Sequence, residues 1–592
     1  MDAEIFYVLV GALAVGAFAR WRGWPAPLVV TVAALLVSLI PAVPTLDIDG
    51  HLLLNLTLPP LLYSAALEVS FVGFQRSLPH IRRLGIGLVL CTALAVGLVA
   101  WWIMPELTLA GGLLLGAIVG PPDAVSAAAI GRKLGLPRRL MTVLSGESLI
   151  NDATSLTLVR VFAAIVAGAT VTVWDGVWSF IVAVVLGVLI GLLFGVVLHQ
   201  LRMRLDDPVV VGTAGLLVPF GAYAIAEHLG GSGVLAVVAM GLFVGYHAPR
   251  TDYTTRQQER PLWLSADFLL ESFVFAYIGL QFPRVVRELG TADAGITIAL
   301  AAAVFGIVLV MRPIFVYGSY AWGRMWQGIK IMRWKHSLEA YRRDPDDPRA
   351  KMLRDRREQL ARRGVDVNET MLRQRILEPV LSVPERAVLS WAGMRGVVTL
   401  AMAAALPDLT GGTMPASHVQ KLIVVAFVVT VGTLLLQGLT LAPLIKALRV
   451  GSDEERKLDA RQILAIRERS QEVGKAYLRA QRTEWKERYG PESAEVFDRM
   501  AQSLLRVERD TDRAGQVLES HDGSADAAAQ KPTYEDLVAL SKGWLEARRE
   551  MLIRERDLGN LSEEVMREIM TAIDAEELAL DTRGAIRDVG RA

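Results

Sequence analysis

The chain of 592 residues has one cysteine and almost no net charge, its 62 Lys and Arg standing against 61 Asp and Glu. A single thiol, Cys91, excludes an intramolecular disulfide framework. The charge balance gives no overall pull toward nucleic acid. No Gly-x4-Gly-Lys-Ser/Thr loop occurs, so ATP-driven chemistry has no support. A cleavable signal pattern is also missing: the first hydrophobic run follows Met-Asp-Ala-Glu directly, has no basic n-region and reads as a first span. Charged residues are scarce, at 21% against 53% hydrophobic, and mean hydropathy is +0.38. Soluble domains average near neutral or below, so this is the composition of a membrane protein.

What charge there is lies unevenly. Residues 1 to about 450 are mostly Leu, Val, Ala and Gly, whereas 451–592 are dense in Arg, Glu, Asp and Lys. A membrane-crossing helix needs roughly 20 apolar residues. On that scale thirteen segments qualify, near 3–19, 25–43, 50–74, 84–104, 107–131, 138–167, 175–199, 208–227, 231–248, 262–282, 293–322, 384–406 and 417–447. Loops after odd-numbered segments carry Arg20 and Arg22, then Arg76, Arg82 and Arg83, then Arg132, Lys133, Arg138 and Arg139. The same alternation continues with Arg202 and Arg204, and with Arg250, Arg256 and Arg260. Loops after even-numbered segments are nearly free of basic residues until Arg284 and Arg287. Basic loops mark the cytoplasmic side, so the pattern predicts an outside N-terminus and a cytoplasmic C-terminus in an inner (plasma) membrane. The fold class expected is all-α: about thirteen transmembrane helices followed by a helical cytoplasmic region.

Two pieces fall outside the spans. Residues 323–383 form a basic cytoplasmic loop, expected to hold one or two surface helices. Residues 451–592 read as polar-faced helices with a linker at HDGSADAAAQKP, packing on each other, on a second subunit or as a regulatory domain.

Inside the sixth segment stands SGESLINDATSL, Ser145 to Leu156. A charge at the bilayer centre costs about 2.5–3.5 kcal/mol even on permissive scales, so this run requires partners or a function. Ser148 and Asp152 are four apart and share a helix face; Glu147 and Asn151 share another about 100° round. Hydroxyl, carboxylate and amide oxygens are hard donors that suit small cations, and a buried carboxylate can take a proton instead. A polar residue that only pairs helices is the plainer explanation. Two interrupted spans weigh against it. The fifth reads GGLLLGAIVGPPDAVSAAAIG, where Gly120, Pro121 and Pro122 break the helix and Asp123 is expected to face the N-terminus of its second half. The twelfth reads LSWAGMRGVVTLAMAAAL, with Gly393 and Gly396 around Arg395. They lie seven segments apart, hence in inverted halves, a pattern that points to a site at the midplane of a transporter. Arg395 needs a buried partner, and Glu147 is the natural one if Asp152 is to titrate. Glu68 and Glu271 are further intramembrane acids, each a cavity group or a structural hydrogen-bonder. Arg160, two turns after Asp152, either snorkels to the outer interface or holds a nearby acid.

These residues resemble the bacterial branch of the monovalent cation–proton antiporters, the sodium/proton exchangers. The resemblance covers residues 1 to about 450. It is carried by LPPLLYSAALE, GPPDAVSAAAIGRKLGLP, SGESLINDATSL, GGSGVLAVVAMGL and WAGMRGVVTLAMA. It implies a homodimer in lipid, with a core that moves against a dimerisation domain in an elevator-like exchange of Na+ for H+ and no cofactor. The family's Asn-Asp pair maps onto Asn151 and Asp152, its serine onto Ser148 and its Glu–Arg pair onto Glu147 and Arg395. Sodium would then bind at Asp152 and Ser148. The broken-helix acid maps onto Asp123, but Pro122 replaces the usual threonine. Ser64 stands where relatives often have an acid, leaving Glu68 as a substitute. Asn before the carrier Asp implies electroneutral exchange.

Three rivals remain. An intramembrane serine protease would use the GGSG at 230–233 with His228 or His247 as base, but neither histidine has an evident orienting partner. A channel would share the buried acids without exchanging protons. A K+/H+ exchanger on the same scaffold is the nearest rival, since selectivity depends on cavity size and ligand number.

Overall fold

A computed structural model describes residues 3–40, 43, 50–123, 125–170, 172–205, 207–289, 294–344, a few positions between 347 and 358, 381–491, 493–507, 534–558 and 560–589. All regular structure among them is helical, in two compact units, Met1–Ser452 and Asp453–Ala592.

Among the described residues of the first unit, nine helices are long and apolar enough to cross a membrane. Their outer surfaces expose residues such as Trp102, Trp174, Leu193 and Val197, which in a soluble protein would be buried. The chain is a multi-pass membrane protein. Its helices sort by packing into two groups. One holds Ala3–Arg22, Ala26–Val37, Gly50–Glu68, Val173–Arg204, Pro208–His228, Gly233–His247 and Tyr253–Leu280. The other holds Phe71–Ile103, Thr108–Val119, Val125–Leu134, Arg138–Val166, Ala294–Arg343, Val383–Trp391, Val397–Ala404 and Ala416–Ala447. Contact within each group is dense, through small residues that let backbones approach: a Cβ on Gly112 would sit 2.5 Å from the carbonyl of Gly97. Between the groups it is sparser.

Several boundaries differ from the sequence reading. The third segment stops at Glu68, because Ser70 caps a new helix by accepting the N–H of Gly73 at 3.1 Å. That helix runs from Phe71 to Ile103 through a π-helical turn at Arg83–Leu88 and so absorbs residues assigned to a loop. The eleventh segment does not end near 322. It continues as one 50-residue helix, Ala294–Arg343, into the expected surface loop, since no proline interrupts it between Pro313 and Pro345. Most of the rest of that loop, and the HDGSADAAAQKP linker, lie outside the described residues. The two interruptions are present: one helix ends at Val119 and the next starts at Val125; another ends at Trp391 and resumes at Val397.

The second unit packs Asp453–Tyr489, Ser493–Val507, Tyr534–Leu558 and Glu563–Val589 around Phe497, Trp544, Leu552 and Val565. Arg549 ties the last two helices together through Glu577 at 2.7 Å and Asp574 at 3.2 Å.

Candidate functional site

The helix Arg138–Val166 carries the polar knot, with Glu147, Asn151, Asp152 and Ser155 buried and Ser148 half-buried. Two hydrogen bonds seat it on the first broken helix. Asn151 Nδ2 donates to the carbonyl of Pro122 at 2.7 Å, and Ser155 Oγ donates to the carbonyl of Ala117 at 2.7 Å. The break exposes carbonyls that a continuous helix would have used, and the knot supplies donors for them.

The two breaks are also joined to each other. The backbone N–H of Asp123 donates to the carbonyl of Met394 at 2.6 Å. The Asp123 carboxylate rests against Gly396, where a Cβ would collide with it. Gly396 is the N-cap of Val397–Ala404, so the acid meets the positive end of that helix. That helix belongs to the other break, whereas the sequence pointed to the second half of its own.

Glu147 and Arg395 do not form the expected pair. Glu147 is held instead by Arg312, from the middle of Ala294–Arg343, with Nη1–Oε1 at 2.5 Å and Nη2–Oε2 at 2.9 Å. This is a bidentate fork with both side chains 2% exposed. Arg312 Nε also donates to the carbonyl of Leu389 at 3.0 Å, and a Cβ on Gly393 would lie 2.5 Å from Arg312 Cδ. Arg395 is occupied elsewhere. Its guanidinium donates to the carbonyls of Val119 at 3.0 Å, Gly120 at 3.3 Å and Gly393, and its N–H donates to Thr433 Oγ1 at 3.0 Å. It therefore caps the negative C-terminal end of Thr108–Val119. The correction has a plain cause: the carbonyls freed by the Gly-Pro-Pro break consume the donors of Arg395.

Asp152 is treated differently. It is buried, and among the described residues nothing hydrogen-bonds its carboxylate, which stands within electrostatic range of Asp123. Beside it Asn151 Oδ1 is buried and also has no partner among the described residues. Among the described residues both groups are buried acceptors without a donor, the condition under which a carboxylate takes up a cation or a proton.

Glu68 does not join this cluster. Its side chain is half-exposed, 3.5 Å from Arg132 Nη1. Glu271 is partly buried within electrostatic range of Asp123, and four residues earlier Asp267 accepts the hydroxyl of Ser64. Arg160 holds a nearby acid, Glu227, one of its two readings. Ser232 of the GGSG run is the N-cap of Gly233–His247, accepting the N–H of Leu235 at 3.3 Å, while His247 Nδ1 sits 2.8 Å from the carbonyl of Phe243. Its surroundings are those of a cap, not of a nucleophile. Sequence reasoning missed Arg312, Ser155 and Asp267. Arg312 was findable as a single charge in an apolar run, and Asp267 as a second acid beside Glu271 in its span. Ser155 looks like any packing serine.

A buried acid without a hydrogen bond among the described residues, near the meeting of two broken helices in a multi-pass membrane chain, fits an ion-coupled secondary transporter rather than an enzyme. Residues 5–343 match the family described as sodium/hydrogen exchanger, transmembrane, and the chain belongs to that family of Na+/H+ antiporters. It is 30% identical to a Na(+)/H(+) exchanger of Mycobacterium tuberculosis over 585 residues, 97% of this chain and 96% of that one. The Na(+)/H(+) antiporter ApNhaP of Aphanothece halophytica is 26% identical over 71% of this chain and 69% of its own. The sodium proton antiporter MjNhaP1 of Methanocaldococcus jannaschii, solved at pH 8, is similar in fold, with a TM-score of 0.53 and 16% identity. That alignment covers 75% of this chain and 98% of MjNhaP1.

Proposed function

We propose that this antiporter exchanges one Na+ for one H+ at Asp152, the two competing for the same carboxylate. The observation that carries the proposal is the contrast at the knot: Glu147 is paired with Arg312 and Arg395 is bonded to backbone carbonyls, whereas Asp152 is left without a hydrogen bond among the described residues. Asn151 Oδ1, Ser148 four residues earlier and Asp123 at the break are the further oxygens offered to the ion. Na+ and H+ are cargo, and no cofactor enters the cycle. Asn151 is an amide and carries no proton, so one charge crosses in each direction and the exchange is electroneutral.

In this reading the chain crosses the plasma membrane thirteen times, with the N-terminus outside and Asp453–Ala592 in the cytoplasm. The two broken helices belong to inverted repeats and cross at the midplane. The group carrying Asp152 slides against the other group, which provides the contact between two subunits of a homodimer in the lipid. Glu68, paired with Arg132 at an exposed rim, has no ligand role. The alternative cargo is K+.

Proteoliposomes given Na+, Li+ or K+ gradients test both points. The parent protein should acidify or alkalinise the lumen according to the Na+ gradient, and Asp152→Asn should abolish the response while the protein still assembles. Wild-type exchange by Asp152→Asn sinks the assignment; a response to K+ alone replaces the cargo.

A further inference from the structure

Asp152, Leu156 and Arg160 follow one another at intervals of four on Arg138–Val166, and so line one face of that helix. Toward the Val166 end, Arg160 meets Glu227, near the C-terminus of Pro208–His228. These helices belong to different groups and have little other contact, whereas Arg138–Val166 is packed closely on Phe71–Arg82 and Thr108–Val119. The ion pair therefore spans a thin seam. Glu227 is itself built in: its Oε1 accepts the N–H of Gly233 at 2.8 Å, and a Cβ on Gly233 would lie 2.9 Å from that oxygen. One oxygen is thus anchored to its own group while the other faces Arg160. At the opposite end the groups meet through the looser Arg132–Glu68 pair and through Lys133, whose ammonium donates to the carbonyl of Gly23.

We propose that Arg160 and Glu227 form a latch across the seam, which keeps the face leading from Asp152 toward the Val166 end closed and sets the balance between the two accessible states of the carrier. The proposal rests on the reading above, in which the Asp152 group moves and the Val166 end faces outward. Both side chains are partly exposed, at 40% and 24%, so either can rehydrate when its partner is lost. Glu227 also keeps the N–H of Gly233. Releasing the latch therefore shifts a conformational balance without unfolding the chain. An exposed pair biases a two-state equilibrium on the order of two- to fivefold.

The test uses the full chain in right-side-out vesicles, with Cys91→Ser removing the native thiol and Leu156→Cys reporting on the face between Asp152 and Arg160. A membrane-impermeant maleimide is added outside. Arg160→Gln should raise the labelling rate of Leu156→Cys by about two- to fivefold. Arg160→Lys, which keeps a cation facing Glu227 and leaves the Glu227–Gly233 bond intact, should hold the rate near its starting value, a rescue that loss of packing would not give. Labelling that is unchanged by Arg160→Gln, or absent in both proteins, overturns the latch. Because the readout is thiol chemistry rather than transport, that failure leaves the Asp152→Asn test standing, and the reverse holds as well.

Discussion

Glu147 and Asp152 stand little more than one turn apart on the same helix, both acids and both buried, yet their surroundings are opposite. Glu147 is gripped by both terminal nitrogens of Arg312, and Arg312 is itself fixed by the carbonyl of Leu389. Around Asp152 the neighbouring donors are spent on backbone: Asn151 on Pro122, Ser155 on Ala117, Arg395 on Val119 and Gly120. Burial of a charge is expensive in either place. At Glu147 the cost is offset by a fixed cation of the protein. At Asp152, on the proposed reading, it is left for a mobile one. One helix would then hold a structural acid and a working acid, and the difference lies in what the breaks do with the surrounding donors.

Substitutions can break that contrast or sharpen it. The largest loss of stability should follow Arg312→Ala or Glu147→Ala, each leaving a buried charge unpaired at a cost of about 3–5 kcal/mol. Thermal unfolding in detergent measures it, and normal melting of both variants would refute the bracing role. Arg395→Ala comes next. It removes bonds from a charged group to neutral carbonyls and strands no opposite charge, so about 2–3 kcal/mol is expected. Ser155→Ala takes one bond from the Ala117 carbonyl and should cost about 1 kcal/mol. The smallest effect should be that of Asp152→Asn on the melt. Removing an unpaired buried acid should leave stability equal or slightly raised, although exchange is lost. A melt lowered as much as by Arg312→Ala would mean that Asp152 is braced too.

Much of this was legible in the residues. Pro121, Pro122, Gly393 and Gly396 announced both breaks because proline removes a donor and glycine permits close approach. The acids of SGESLINDATSL stood out because charge is rare at that depth. Partner choice was not legible. Glu147 had two buried arginines within reach, and only the fold shows that the Val119 and Gly120 carbonyls claim Arg395. Ser64 likewise gave no sign that Asp267 would come to it from another helix. Helix ends were misplaced where a cap such as Ser70 lay inside an apolar run, or where polar helix formers prolonged a span to Arg343.

The claim that one carboxylate serves both ions is tested most directly by voltage. In proteoliposomes clamped with K+ and valinomycin, with Na+ as the transported ion, a potential of about 100 mV is worth about 2.3 kcal/mol for each net charge moved. With Asn151 beside Asp152, the proton gradient reached at equilibrium should be the same with and without that potential. A gradient that shifts with voltage would contradict that claim, and would show that a second acid, such as Asp123 within electrostatic range, joins Asp152 in the cycle.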